Sequence, residues 1–316
     1  MNNKISTRIL IICLLFLNVI ITSCNRPAQL WTAVGKEGLK IEFDKANPPP
    51  RIYVGDQTDV IIRIRNVGAT DINEETRGFV LSLIKDDYYM KAVKDISYDQ
   101  IVDLIDGSSP YFSGGNMKQY NMGTYITVLP EQSESTTTEI TANICYPYKT
   151  KLSQAVCIDN DKYGQSLRKQ SCKATTINIG TKGQGAPIGI TKIEPEMLSL
   201  SNKTRPSFRI TIQNLGAGTV YTSIVNASIC ALDRPALRDY NSVRIKAFLA
   251  SRIPLNCTPE KVRLINNIGE TICRIDMNFI TNEMSFTYPN YITNLDIELN
   301  YEYFQSLTKS IEIFRP

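Results

Sequence analysis

Three Ser-x-x-Lys tetrads, Ser82–Lys85, Ser166–Lys169 and Ser306–Lys309, have the spacing at which a lysine amine can activate a serine hydroxyl for acyl transfer. The S-D-N and K-T-G signals that accompany such chemistry are missing. Ser82 also sits in an alternating run where it shares a face with Ile84 while Lys85 points the other way. In a lysine-rich chain the three tetrads read as chance. Histidine is absent from all 316 residues, which removes Ser-His-Asp and Cys-His devices and every imidazole metal ligand.

Carboxylates are the next resource. Glycoside cleavage needs two acids set about 5 to 10 Å apart, and Asp86-Asp87 or Asp103 with Asp106 could supply them. Nothing among the 31 acidic residues singles out a pair, and these four read as exposed loop charges. Asp159-Asn160-Asp161-Lys162-Tyr163-Gly164 begins like a calcium loop, but position five is Tyr163 and Gln170 stands where the bidentate glutamate belongs. A solvated turn is the default there. The expectation is a protein that is not an enzyme, with no catalytic residue, no cofactor and no metal site.

The cysteines carry a different message. Cys13 and Cys24 lie in the amino-terminal segment, and Cys145, Cys157, Cys172, Cys230, Cys257 and Cys273 follow. No pair has C-x-x-C spacing, which argues against zinc. An even number in an exported chain reads as a disulfide framework. Cys257 with Cys273 would flank a strand-turn-strand segment, and Cys157 with Cys172 would close a polar loop. Cys145 and Cys230 remain, and their bridge would join two halves. Asn202, Asn226 and Asn256 head N-x-[ST] sequons compatible with glycosylation on an exported surface.

Export is the inference from the first residues. Lys4 and Arg8 precede a run from Ile9 to Ile21 that is apolar except for Asn18, shorter than the roughly 20 residues of a membrane-spanning helix. Its length, flanking charge and the small residues before Cys24 fit a secretory signal. Ile21-Thr22-Ser23-Cys24 resembles a lipobox, which implies lipidation of Cys24. Two acyl chains would hold the protein to the membrane where one would not. An ordinary signal peptide or a short uncleaved anchor is the alternative. Formal charge is +4 with no dense basic block, so nucleic acid is not an expected partner.

Aromatic residues cluster at Tyr88-Tyr89, Tyr111-Phe112, and Tyr120 with Tyr125. On loops they would stack on sugars or fill a partner's pocket. The simpler assignment is to the core or to bracing the loops around Gly114-Gly115. Tyr146 and Tyr148, beside Cys145, read as structural.

The elements that must position all of this are strands. Val60, Ile62 and Ile64 alternate with Arg63 and Arg65, Phe208, Ile210 and Ile212 with polar neighbours, and Leu295, Ile297, Leu299 and Tyr301 with acids and Asn300. Further strands are expected at 39–43, 79–84, 124–129, 138–146, 188–193, 243–249 and 309–314. Two short helices compete, Ser97–Ile105 and Arg234–Tyr240. Arg63-Ile64-Arg65-Asn66-Val67-Gly68-Ala69 is echoed by Thr211-Ile212-Gln213-Asn214-Leu215-Gly216-Ala217. Gly68 and Gly216 are expected at positive φ where each strand turns. Gly180 to Pro187, poor in apolar residues, reads as the boundary.

The strand-Asn-x-Gly-Ala turn resembles the CARDB-like group of immunoglobulin-type sandwiches of prokaryotic surface proteins. Gly38-Leu39 with Pro48-Pro49 before Tyr53, Cys145-Tyr146-Pro147-Tyr148, Val156-Cys157-Ile158-Asp159 and Gly183-Gln184-Gly185-Ala186-Pro187 are similar to segments of exported proteins from small-genome archaea. The resemblance implies an envelope location and tandem β-sandwiches, with no ligand or reaction attached.

The expected architecture is therefore all-β. It has a signal at 1–23, a tether at 24–36, immunoglobulin-like sandwiches at 37–180 and 188–316, and a linker at 181–187 between them. The expected function is that of a non-catalytic protein anchored on the extracellular face of the cell membrane, binding another protein, a glycan or an envelope component through loops or edge strands. A carbohydrate-binding or carbohydrate-cleaving protein and a self-associating envelope subunit are the rivals.

Overall fold

Period-two alternation dictates strands, because successive side chains leave opposite faces of an extended backbone. The computed structural model describes residues 33–73, 78–96, 98–101, 103–159, 171–200, 203–222, 239–276 and 290–316, and every regular element within them is a strand. The alternating apolar sets face inward: Val60, Ile62 and Ile64, then Phe208, Ile210 and Ile212, have no exposed surface. Each such side chain contributes about 1.5–3 kcal/mol by leaving water.

In the first half, β1 (Leu39–Phe43), β3 (Gln57–Asn66), β5 (Met90–Asp95) and β7 (Met117–Thr127) form a four-stranded sheet in the order β1-β3-β7-β5. It packs on a second layer built from β4 (Phe79–Ile84), β6 (Tyr98–Ile101) and the start of β8 (Ser135–Asp159). Phe79 meets Tyr120 edge-on across the layers, with ring centroids 5.5 Å apart. The Leu39 N–H of β1 donates to the Tyr146 hydroxyl of β8 at 3.2 Å.

The strands of the second half belong to one 13-stranded sheet that also includes β4, β6 and β8. β10 (Ile188–Leu200), β11 (Lys203–Asn214), β16 (Ile268–Ile275) and β14 (Ile253–Thr258) are successive neighbours, and β13 (Ser242–Leu249) pairs with β14, β15 (Lys261–Arg263) and β17 (Asn290–Phe314). The Ile188 N–H of β10 donates to the Tyr301 hydroxyl of β17 at 3.4 Å, as Leu39 does to Tyr146.

β8 and β17 tie the halves together. They pair antiparallel from Ser135↔Phe314 to Asp159↔Asn290, with Pro147 opposite Glu302 at the midpoint. β4 covers β8 only as far as Cys145, and β13 covers β17 from Leu295 to Asn300. Each long strand thus begins in its own half and continues as an added strand of the other. Pro147, which has no N–H to give, falls where β4 has already left the ladder. β2 (Arg51–Tyr53) joins the far end of β17 in a parallel pair, Arg51↔Glu312 to Tyr53↔Phe314.

Two expectations need correction. Residues 98–101 of the expected Ser97–Ile105 helix are strand β6, with Phe79↔Ile101 and Leu81↔Tyr98 as partners. An isolated helix that short cannot nucleate, whereas a ladder partner was on offer. The other expected helix lies mainly outside the described residues, and Tyr240 at its end forms a bridge with Tyr221. Gly68 and Gly216 do not have positive φ. Both are glycine because a Cβ would collide with a tyrosine hydroxyl, at 2.0 Å from Tyr148 and 2.4 Å from Tyr303.

Candidate functional site

Those collisions mark two matching corners. In the first, Asn66 donates from Nδ2 to the Thr70 and Ile105 carbonyls at 2.8 and 2.9 Å, and its Oδ1 accepts from the Gly68 N–H and the Tyr148 hydroxyl. In the second, Asn214 donates to the Gly218 carbonyl at 2.9 Å, and its Oδ1 accepts from the Gly216 N–H and the Tyr303 hydroxyl. Burial pushes the Tyr146, Tyr148 and Tyr301 phenols well up, and it raises Tyr303 to about 12. These four tyrosines are neutral hydrogen-bonding parts of the core.

The stretch read as a boundary is packed between the corners. Residues 183–187 are buried. The Gly185 N–H donates to the Gly35 carbonyl at 3.0 Å, the Ala69 N–H donates to the Gly185 carbonyl at 2.8 Å, and the Leu215 and Gly216 N–H groups donate to the Pro187 carbonyl. Gln184 donates to the Ile190 carbonyl and accepts from the Ile190 N–H.

Cys157 is bonded to Cys172, and Cys257 to Cys273, its direct cross-strand neighbour between β14 and β16. Cys145 is also disulfide-bonded. Cys230 lies outside the described residues, as do Cys13, Cys24, Asn202, Asn226 and the loop at 160–170. Asn256 is exposed on β14, where its Nδ2 donates to Asp276 at 3.3 Å. The disulfides belong to an oxidising compartment. No helix among the described residues is long and apolar enough to cross a membrane.

The serine–lysine tetrads that are described do not assemble. Lys85 lies over the Tyr125 ring at 5.0 Å and pairs with Asp87, away from exposed Ser82. Ser306 donates to Asn143 at 2.7 Å, while Lys309 donates to the Asp44 and Pro48 carbonyls. Ser166 and Lys169 lie outside the described residues. Among the carboxylates, Asp86 accepts from the Tyr88 N–H at 2.8 Å. Asp103 is held below its usual range first by the Tyr120 hydroxyl, with burial opposing and Lys118 assisting. These acids brace loops. Among the described residues no group of three His, Cys, Asp or Glu side chains could hold a metal.

The aromatic clusters separate cleanly. Tyr120 and Tyr125 are core, and Tyr88 packs edge-on against Tyr89 at a turn. Tyr111 is 98% exposed and Phe112 is 50% exposed. Their loop is fastened at its base: the Ser108 N–H donates to the Gly68 carbonyl at 2.6 Å, and the Asn116 N–H to the Asp106 carbonyl at 2.9 Å. Gly115, at φ +62°, passes so close to the Asn66 carbonyl that a Cβ would lie 1.6 Å from it. The first corner therefore presents two rings to solvent on a fixed support.

A second feature was not legible in the sequence. A polar cleft of ≈ 440 Å³ lies between the β1–β3 connection and β7, lined by Asn47, Arg51, Tyr53, Asp56, Asp59 and Thr124 among others. None of the tyrosines singled out above reaches it. Tyr53 is 48% exposed and leans on Phe314, with ring centroids 4.3 Å apart. The Arg51 guanidinium covers Phe314 at 4.7 Å and pairs with Glu312 at 2.9 Å. Asp59 accepts from the Thr124 hydroxyl at 2.5 Å. Only the parallel β2–β17 pair brings Arg51 and Tyr53 beside Glu312 and Phe314, and no local pattern announces that pairing.

No protein-family model matches the chain, and no curated protein matches it.

Proposed function

We propose that this chain is a non-catalytic protein of the cell surface, exported and held at the membrane through lipidated Cys24 or its amino-terminal anchor. It acts by presenting loops to another protein, a glycan or an envelope component. The observation that carries this reading is the Tyr111-Phe112 pair, exposed on a loop bonded to the Asn66 corner. Rings held on a rigid base give apolar contact area with little ordering cost on binding. The disulfides agree with an extracellular setting, and the Asn-x-Gly-Ala turn resembles that of prokaryotic surface sandwiches.

Fractionation and surface cross-linking test it together. Wild-type protein is expected in the membrane fraction with a lipid-sized mass increment on Cys24, and Cys24→Ser is expected to be released or unprocessed. Cross-linked partners are expected to disappear in a Tyr111→Ser, Phe112→Ser double variant that keeps its thermal midpoint. A cytosolic chain with reduced cysteines would overturn the reading. A second reading, carbohydrate binding, is favoured by the polar cleft beside Tyr53.

A further inference from the structure

We infer that the cleft between Asn47 and Thr124 is a binding site for a neutral pyranose ring, with Tyr53 as its stacking platform and Asp56 and Asp59 as acceptors for sugar hydroxyls. The inference deepens the surface-binding reading above and rests on it.

The first argument is where the two halves differ. In the second half β10 ends at Leu200 and β11 begins at Lys203, three positions on. In the first half the chain leaves β1 at Phe43, adds β2 to the end of β17, and enters β3 at Gln57. That detour builds the cleft. The shared corners and tyrosines serve the fold in both halves, whereas β2 lies between β1 and β3 and no described strand lies between β10 and β11. Connections carried on a fixed scaffold are where binding residues concentrate.

The second argument is chemistry. The volume, ≈ 440 Å³, lies in the range of small-ligand sites, roughly 300–1,000 Å³. Arg51 is already paired with Glu312, so the lining offers carboxylates without a spare cation, which disfavours an anion. No three-ligand metal group exists among the described residues. A half-exposed phenol ring next to carboxylate and amide acceptors suits a ligand with an apolar ring face and a rim of hydroxyls. The support is firm: the Gly55 N–H donates to the Thr127 carbonyl at 2.9 Å, the Val54 N–H to the Phe314 carbonyl at 2.9 Å, and the Thr127 hydroxyl to the Tyr53 carbonyl at 2.7 Å.

The test is saturation-transfer NMR on the full chain in detergent micelles. The probes are neutral trisaccharides of glucose, mannose, galactose and N-acetylglucosamine. At least one is expected to bind saturably. Tyr53→Ala should weaken it about tenfold or more, equivalent to about 1.4 kcal/mol, Tyr53→Phe should leave it near wild type, and Asp56→Asn should weaken it with the thermal midpoint unchanged. If no trisaccharide saturates the protein, or if Tyr53→Ala binds as wild type, the cleft is not a sugar site. That failure is separable from failure of the surface reading, which fractionation decides independently.

Discussion

The Tyr148 hydroxyl donates to the Asn66 side-chain carbonyl oxygen at 3.3 Å, and Tyr303 repeats the bond to Asn214 at 3.2 Å. The same oxygens accept the Gly68 and Gly216 N–H groups, so each tyrosine closes a turn against the strand opposite. Gly68→Ala and Gly216→Ala should therefore destabilise the protein by roughly 1–3 kcal/mol each, the usual cost of overpacking. Gly68→Ala should be the worse, because its Cβ also meets the Gly185 and Glu37 carbonyls at 2.6 and 2.8 Å. Urea unfolding monitored by tyrosine fluorescence gives the ranking; equal stability of both variants with wild type would refute the corner.

Alkali should act through the same residues. Tyr303 ionises at about 12 in the fold against 10.0 ordinarily, so its raised value favours the folded, protonated form. Its contribution is complete below pH 10 and is lost as pH climbs towards 12, a fall of roughly 3 kcal/mol. Buried Tyr146, Tyr148 and Tyr301 push the same way. The share of tyrosinate absorbance that belongs to these buried rings should appear only together with unfolding, above pH 10, and Tyr303→Phe should flatten the slope. Ionisation of all tyrosines before loss of circular dichroism would contradict it.

Each described disulfide closes a short loop, with separations of 15 and 16 residues. Removing the pair Cys257 and Cys273 by serine should cost about 3 kcal/mol, and Cys157 with Cys172 a similar amount. Denaturant midpoints with and without reductant provide the check. A midpoint indifferent to reductant would mean that neither bridge stabilises the fold.

Self-association should be weak, for a reason visible on β5. Residues 91–94 of this edge strand are all exposed and include Lys91 and Lys94, a pattern that discourages strand addition. Light scattering should report a monomer for wild type and larger species for Lys91→Val, Lys94→Val. A wild-type filament would favour the envelope-subunit rival.

Much of this fold was legible from alternation alone. β1 and β4 begin and end where the residue pattern indicates, and the apolar faces of β3, β11 and β17 are the buried ones. The echo of Asn66-Val67-Gly68-Ala69 in Asn214-Leu215-Gly216-Ala217 pointed to two equivalent corners, though steric crowding and not backbone φ turned out to require the glycines.

What the chain's own residues determined, then, is strand identity, inward face and the repeated turn, because these follow from side-chain period and local contacts over a few residues. Tertiary structure alone decided that β8 and β17 pair along their whole length, that residues 183–187 are buried between the corners, and that Arg51 and Tyr53 meet Glu312 and Phe314. Those outcomes depend on which distant strand offers unpaired backbone groups and an apolar face to cover, a choice made between segments far apart in sequence and therefore unmarked in either one.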